Sequence, residues 1–258
     1  MTSRSIWWSE RTSPDLNDFS ENDVGLVPVG ATEQHGPHLP TGTDTIIAAE
    51  LCRAVASATG SVILPPITVA CSYGHGIELP GTLSFSPEEL ACVVRQYALW
   101  ASASNLRRLL FINAHLGNSA GLGAGTDYLR LYRPDLLAGV VNWWSATPEL
   151  WAEAGADGED MHANRAETSV MLHIAPELVR RERIVDDVDR TPGLVFRYTA
   201  PALSQNGVTG RPSEASAELG QRLFDMATAS IIATVTRAQE EEAPLGRAPV
   251  PRTLLGGL

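Results

Sequence analysis

The chain has few cysteines, and their positions exclude two common cysteine-built architectures. Cys52, Cys71 and Cys92 are odd in number and widely spaced among apolar neighbours. This pattern fits neither a disulfide framework nor a CxxC metal knuckle. We therefore expect three buried thiols in a reducing compartment, and predict that the protein is cytoplasmic.

Positive charge and long apolar runs are also scarce. The 19 arginines, with no lysine beside them, face 30 aspartates and glutamates, which gives a formal net charge of −11. Nucleic acids and anionic membrane surfaces require basic patches, so we expect neither as a partner. No segment reaches the roughly 18 uninterrupted apolar residues of a membrane-spanning helix, and residues 1–8 lack the apolar core of a signal peptide. A small molecule or a short peptide is the expected partner.

Apolar runs of strand length alternate with helical patterns along most of the chain. The predicted strands are Val24 to Val29, Ser61 to Leu64, Arg108 to Asn113 and Leu137 to Trp143. The predicted helices are Ile46 to Ala58, Pro87 to Asn105, Gly121 to Tyr132, Glu167 to Ile174 and Ser213 to Gln239, with a strand or turn region from Val185 to Tyr198. This alternation predicts an α/β fold, a single domain over residues 1–240 with a mainly parallel sheet flanked by helices. Residues 241–258 are predicted to form a flexible C-terminal tail.

The loop after the first strand carries ligand-type side chains at short spacing. Glu33 and His35 point the same way if the chain leaves the strand extended, and Asp44 returns across a loop bounded by glycine and proline. Either carboxylate alone is more typical of a loop or helix cap, with Asp44 as the N-cap of a helix beginning at Ile46. Together the three residues favour half of a metal site, suited to zinc, manganese or iron.

His115 follows the strand Arg108 to Asn113. A lone histidine there is more often a hydrogen-bonded structural residue. The carboxyl ends of parallel strands share one edge of the sheet, however, and this brings His115 toward Glu33 and His35. We therefore predict that it joins the same site.

Two further segments carry candidate site residues. His162 lies in a loop, and Glu167 begins a helix. If the Glu167 carboxylate is buried, it needs a partner such as a metal ion; if it is exposed, it is an ordinary residue of a first helical turn. Arg165 is a candidate for binding a substrate carboxylate or phosphate, with a surface arginine as the alternative. The glycine-rich loop from Tyr73 to Phe85 is long enough to border a pocket, which makes Tyr73 and His75 candidate substrate-binding residues.

These segments resemble the creatininase (creatinine amidohydrolase) family. The similar stretches are VPVGATEQHGPHLPTGTD, PGTLSF, NAHLGN, HANRAETSVMLHIAPELV and GVTGRP, in the family's order. The resemblance implies an α/β fold, often assembled as a hexamer, with a metal centre that is commonly dinuclear. The stretch HANRAETSVMLHIAP also resembles the relatives that trim the precursor peptide of the redox cofactor mycofactocin.

Carried over residue by residue, the resemblance assigns a role to each candidate. Glu33 and His115 hold one metal, His35 holds the other, Asp44 bridges them, and His162 is the catalytic histidine. Glu167 belongs to the second metal or its immediate surroundings. The implied reaction is hydrolysis of a C–N amide bond, in a cyclic amide, a formamide or a short peptide, by a metal-activated water.

The chain departs from creatininase in two places. Creatininase has a metal-binding glutamate two residues after the histidine that matches His115, where this chain has Gly117. Gly158 and Met161 replace the tryptophan and glutamate that flank creatinine, so creatinine is not the expected substrate. The alternative to an enzyme is a non-catalytic binding or assembly subunit with the same fold.

Overall fold

The computed structural model describes residues 5–245, and a parallel sheet forms its centre. The strands lie in the order β2-β1-β3-β4, and each neighbouring pair is parallel. Their bounds are β1 Val24–Val29, β2 Val62–Ile63, β3 Arg108–Asn113 and β4 Leu137–Asn142. The predicted α/β fold with a parallel sheet is confirmed.

The α-helices of the described residues connect and cover these strands. Their bounds are α1 Thr43–Thr59, α2 Pro87–Ser102, α3 Ser119–Tyr132, α4 Pro148–Ala154, α5 Arg165–Ile174, α6 Ala200–Leu203 and α7 Ala217–Glu240. The short helices α4 and α6 were not predicted from the sequence. Between Val185 and Tyr198 the chain forms turns and an isolated bridge from Asp187 to Gly210, so of the two alternatives, strand or turn, the turn is found.

The sheet separates two apolar cores. Leu26 and Ile112 contribute to the core on the side of α1, α5 and α7, whereas Val27 and Phe111 contribute to the core on the side of α2 and α3. Adjacent residues of a strand point to opposite faces, so strands buried on both faces are apolar throughout. This three-layer packing leaves the two edges where the strands begin and end as the places for polar side chains.

Helix starts position two of the candidate site residues. Helix α5 begins after Asn164, whose side chain accepts hydrogen bonds from the backbone N–H groups of Ala166 and Glu167. Helix α1 begins after Gly42, earlier than predicted, and this places Asp44 inside its first turn. The alternative that Asp44 serves as the N-cap is therefore wrong.

The remaining predictions about composition have mixed outcomes. Cys52 and Cys71 are buried as free thiols, but Cys92 is exposed on α2, so the prediction that all three are buried was wrong. Among residues 5–245, no helix combines the length and apolar character needed to cross a bilayer. The last helix ends at Glu240, and the predicted tail lies outside the described residues beyond position 245.

Candidate metal centre

The carboxyl ends of β1 and β3 lie side by side and carry the candidate ligands. Val29 and Asn113 are paired at the ends of these strands. Glu33 and His35 follow β1, and His115 follows β3. The first turn of α1 brings Asp44 to the same edge, where all four side chains are buried. The predicted meeting of these loops is found in the structure.

The ligand-type atoms form overlapping groups that share Asp44. His115 Nδ1 lies 3.1 Å from Glu33 Oε1 and 3.5 Å from Asp44 Oδ2. His35 Nε2 lies 3.1 Å from Asp44 Oδ1 and 3.9 Å from Glu167 Oε2. In each of the groups Glu33–Asp44–His115 and His35–Asp44–Glu167, one atom per residue lies within 4.8 Å of the others. A carboxylate shared by two such groups is the arrangement that a dinuclear centre needs.

Backbone carbonyl groups orient both of these histidines. The ring of His35 places Nδ1 3.2 Å from the carbonyl oxygen of Glu33, and the ring of His115 places Nε2 2.9 Å from that of Cys71. Since a carbonyl oxygen only accepts, each contacting nitrogen carries the ring proton. The other nitrogen of each ring can bind a metal once it has lost its own proton, as in most metal-ligating histidines.

Three buried carboxylate oxygens have no hydrogen-bond donor among the described residues. They are Oε1 and Oε2 of Glu33 and Oδ2 of Asp44. Imidazole nitrogens of His75 and His115 lie 3.1 Å from the Glu33 oxygens, close enough to share a bound cation with them. Buried carboxylates without donors are costly, and a bound cation removes that cost. The oxygens and the nearby nitrogens therefore fit divalent metal ions.

The ionisation of the carboxylates follows their surroundings. Burial alone would raise the pKa of Glu33, but the imidazoles of His115, His75 and His162 outweigh it and hold this pKa well below its usual range. Burial, reinforced by the negative charges of Asp44 and Glu33, raises the pKa of Glu167 to about 8. Without a metal the cluster therefore retains protons that a bound cation would displace.

His162 lies over the same cluster, with Nδ1 3.6 Å from Glu33 Oε1. Its neighbours Met161 and Ala163 have positive φ values of 28° and 49°, a conformation that non-glycine residues rarely adopt. Such strain concentrates at functional sites. Burial and the nearby His75 and His35 hold the pKa of His162 well below its usual range, so the ring is neutral.

The predicted substrate-binding residues occupy different environments. His75 Nε2 lies 3.1 Å from Glu33 Oε2, and burial lowers the pKa of His75 to about 4, so it belongs to the cluster itself. Tyr73 is 60% exposed beside it. Arg165 is directed to helix α4, where it forms an ion pair of 3.1 Å with Glu153. A substrate-binding role for these three residues stays a prediction.

Two supporting residues were missed by the sequence reasoning. Asn118 donates to the carbonyl oxygen of Gly30, accepts from the N–H of Cys71, and thereby joins the ends of the loops that carry Glu33 and His115. Gln34 contacts both His75 and His162. Neither residue is a typical metal ligand, and only the position of Gln34 between two ligand candidates could have signalled it.

Comparison with known proteins assigns the family. The family model described as "Creatininase: Creatinine amidohydrolase" matches residues 9–235. The chain belongs to the creatininase family. A mycofactocin precursor peptide peptidase from Mycobacterium ulcerans (strain Agy99) is 37% identical over 217 residues, which cover 77% of this chain and 79% of the relative.

Solved creatininase structures share the fold. A mutant creatininase of the Zn-Zn type has a TM-score of 0.78 at 26% identity, and one described as "Creatininase Mn" has a TM-score of 0.76 at 25% identity. Each comparison covers 91% of this chain and 98% of the other. The predictions of a creatininase-family hydrolase acting on C–N bonds, and of metal binding as a family property, are confirmed.

The departure at Gly117 has a structural counterpart in this creatininase-family chain. A Cβ atom at Gly117 would lie 2.3 Å from the carbonyl oxygen of Cys71 and 2.4 Å from His115 Nε2. Any side chain there would disturb the hydrogen bond that orients His115. Glu167, from helix α5, instead supplies a carboxylate beside His35 and Asp44.

Proposed function

We propose that this protein is a metal-dependent amidohydrolase that cleaves a C–N amide bond in a small molecule or a short peptide. The observation that carries the proposal is the pair of buried ligand groups joined by Asp44. Oε1 and Oε2 of Glu33 and Oδ2 of Asp44, which lack hydrogen-bond donors among the described residues, support occupation of both groups by cations.

We assign two divalent ions per chain to these groups, zinc, manganese or iron. Glu33, Asp44 and His115 would hold the first ion, and His35, Asp44 and Glu167 the second, with Asp44 bridging. When bound, such ions polarise an amide carbonyl and lower the pKa of water toward neutrality. Creatininase has a glutamate where this chain has Gly117, and here Glu167 would supply the carboxylate for the second ion instead.

His162 is the proposed catalytic acid and base. Its buried neutral ring has Nδ1 directed to the cluster, where it accepts the proton of the attacking water and then gives it to the departing amide nitrogen. Water is consumed, the C–N bond breaks, and a carboxylic acid and an amine are the products. His75 lies at the cluster and the nearby Tyr73 is 60% exposed, and we assign both to substrate contact.

A short peptide is the substrate class that we favour. The supporting observation is the 37% identity to the peptidase that trims a precursor peptide, against 25–26% for the creatininase structures. A cyclic amide or a formamide is the alternative. We further propose a cytoplasmic homo-oligomer, a hexamer, and light scattering on the purified protein tests the oligomeric state.

The first experiment compares metal content in the wild type and Asp44→Ala. After incubation with zinc and removal of unbound metal, we expect about two ions per wild-type chain and none in the variant, because both groups lose a ligand. Asp225→Ala is the matched control, since Asp225 is an exposed helical aspartate on α7, and its metal content should equal that of the wild type.

Hydrolysis is then measured on a panel of cyclic amides, formamides and short peptides. We expect the zinc-loaded wild type to hydrolyse at least one class and Asp44→Ala to hydrolyse none. Two bound ions with no hydrolysis of any class would favour the binding or assembly subunit. Absence of bound metal in the wild type would overturn the proposal.

A further inference from the structure

The second ligand group joins parts of the fold that are distant in sequence. His35 follows β1 and Asp44 lies in the first turn of α1, whereas Glu167 lies in the first turn of α5. Glu167 Oε2 is 3.9 Å from His35 Nε2. Ligand atoms hold one ion together only at short and well-defined distances from it. The position of α5 relative to the loop after β1, residues 30–42, therefore decides whether this group can bind its ion.

A buried hydrogen bond joins that loop to α5. His38 places Nε2 2.8 Å from the hydroxyl oxygen of Thr168, the residue that follows Glu167. Both residues are fully buried. A hydroxyl group can donate and accept, so this contact is a hydrogen bond whichever ring nitrogen carries the proton. Within residues 5–245, no other hydrogen bond between side chains connects residues 30–42 to α5.

The hydroxyl group of Thr168 also contacts the turn that carries His162. Its oxygen lies 3.4 Å from the carbonyl oxygen of Ala163, and the N–H of Ala163 donates to Glu167 Oε2 at 2.6 Å. Ala163 is one of the residues with positive φ beside His162. The contacts of Thr168 thus connect His38 to the strained turn, and the turn in its turn holds the carboxylate of Glu167.

The remaining polar atoms of His38 have few partners. Its carbonyl oxygen accepts from the N–H of Arg180 at 2.8 Å, so the loop also contacts the segment after α5. His38 Nδ1 has no hydrogen-bond partner among the described residues. Burying an imidazole costs free energy that an apolar side chain of similar size would not. Within the described part of the chain, the bond to Thr168 is what a histidine supplies here and a leucine could not.

We propose that His38 is a positioning residue, which holds Glu167 at the second metal ion through the hydrogen bond to Thr168. The proposal deepens the proposed metal centre and rests on it. His38 itself touches neither metal nor substrate. Loss of its ring should therefore weaken the group His35–Asp44–Glu167 and leave the group Glu33–Asp44–His115 intact.

Zinc titration of the full chain against a chromophoric chelator measures the two affinities separately. We expect His38→Leu to bind the second ion about 10- to 100-fold more weakly than the wild type, the usual loss when a residue that orients a ligand is removed. The first ion should bind as in the wild type. His173→Leu is the matched control, because it makes the same change on α5, where His173 packs against Phe224 away from the cluster. Both ions should bind normally to it.

Electron paramagnetic resonance of the manganese-loaded protein gives a second readout that does not depend on activity. Two manganese ions bridged by a carboxylate are magnetically coupled, whereas single ions are not. At a manganese concentration that fills both groups of the wild type, we expect the coupled signal in the wild type and in His173→Leu. In His38→Leu we expect the signal of isolated ions.

Reciprocal variants test whether the hydrogen bond carries the effect. Thr168→Val keeps the shape of threonine without the hydroxyl group and should weaken the second ion as much as His38→Leu does. The double variant should be no weaker than either single variant, because both changes remove the same bond. His38→Gln, whose amide can donate to Thr168, should recover most of the affinity.

A wild-type affinity for the second ion in either single variant would overturn the positioning role while leaving the two-ion centre in place. Losses that add in the double variant would overturn it too. If His38→Leu does not fold, Thr168→Val decides. A purely structural role would lower the midpoint of unfolding in urea without zinc and leave the second affinity unchanged. A wild type that binds no second ion would overturn the two-ion centre itself, and the positioning role with it.

Discussion

The two edges of the sheet differ in whether their charged side chains have hydrogen-bond partners. At the amino edge, where the strands begin, an open cleft of about 740 Å³ is lined by Arg108, Arg130 and Arg237. Arg108 donates to the carbonyl oxygens of Glu21, Ala238 and Glu241. At the carboxyl edge, the carboxylate oxygens of Glu33 are buried without donors among the described residues.

The comparison teaches that the size of a cavity is a weaker guide to chemistry than buried polar atoms without partners. The arginines at the amino edge have hydrogen-bond or ion-pair partners within the protein, so they do not indicate a ligand site in the cleft. The carboxyl edge concentrates carboxylates and imidazoles where their charges are costly unless a cation is bound. It is also the edge at which open parallel sheets place their sites.

The largest expected effect on chemistry comes from His162→Ala. Removing a general acid and base should lower the rate of hydrolysis by roughly 10²- to 10⁴-fold. Zinc content should stay at the wild-type level, because the two proposed ligand groups are intact.

His173→Ala is the matched control for this variant. His173 lies on α5 and packs against Phe224, with no part in the cluster. Loss of zinc in His162→Ala would show that His162 is itself a ligand, as the close group of Glu33, His35 and His162 would allow. Equal rates for the two variants would remove His162 from the mechanism.

Zinc binding should weaken as the pH falls. Burial alone would lower the pKa of His35, but Asp44, Glu167 and Glu33 raise it to about 10, and burial raises the pKa of Glu167 to about 8. Both groups must lose a proton to bind metal, so protons compete with the metal at His35 below about pH 10 and also at Glu167 below about pH 8. We expect apparent affinity to fall at least about tenfold for each pH unit between 8 and 6.

Competition with a chromophoric chelator at several pH values measures this dependence. The pH change on adding zinc to a weakly buffered sample gives an independent count of the protons that zinc displaces. An affinity that is constant between pH 8 and 6 would contradict the assignment of His35 and Glu167 as ligands.

Asn118→Ala should have a smaller effect, about 10- to 100-fold in zinc affinity, which is typical of residues that orient ligands. The variant leaves the N–H of Cys71 and the carbonyl oxygen of Gly30 without their side-chain partner. Asn22→Ala, at the exposed amino edge, is the control and should bind zinc normally. Unchanged affinity in Asn118→Ala would mean that the two ligand-bearing loops are held by other contacts.

Much of the fold and of the candidate ligand set could be predicted because both depend on local patterns. The strands Val24–Val29 and Arg108–Asn113 are continuous apolar runs, and Glu33 and His115 follow their ends. Helix α4 was missed because seven residues are too few to display a helical period, although Thr147 and Pro148 form an ordinary helix start.

The contacts of Gln34 and Arg165 could not be predicted, because they depend on segments distant in sequence. Gln34 meets Gly207, and only the folded loop before α7 brings them together. Arg165 was a candidate for binding a substrate, with a surface arginine as the alternative, and its ion pair with Glu153 of the unpredicted α4 could not be foreseen. A side chain's type was visible in the sequence, but its partner was not.

Arg130→Ala should have the smallest effect, and it tests the amino edge directly. Arg130 pairs with Asp127 at 3.1 Å, but the two side chains are 80% and 66% exposed, so water screens the pair. We expect stability within about 0.5 kcal/mol of the wild type in urea denaturation, and unchanged zinc content and hydrolysis. If this variant lost zinc or activity, the amino-edge cleft would take part in function, and the contrast between the two edges would fail. An unchanged variant beside an inactive His162→Ala would instead confine the chemistry to the carboxyl edge.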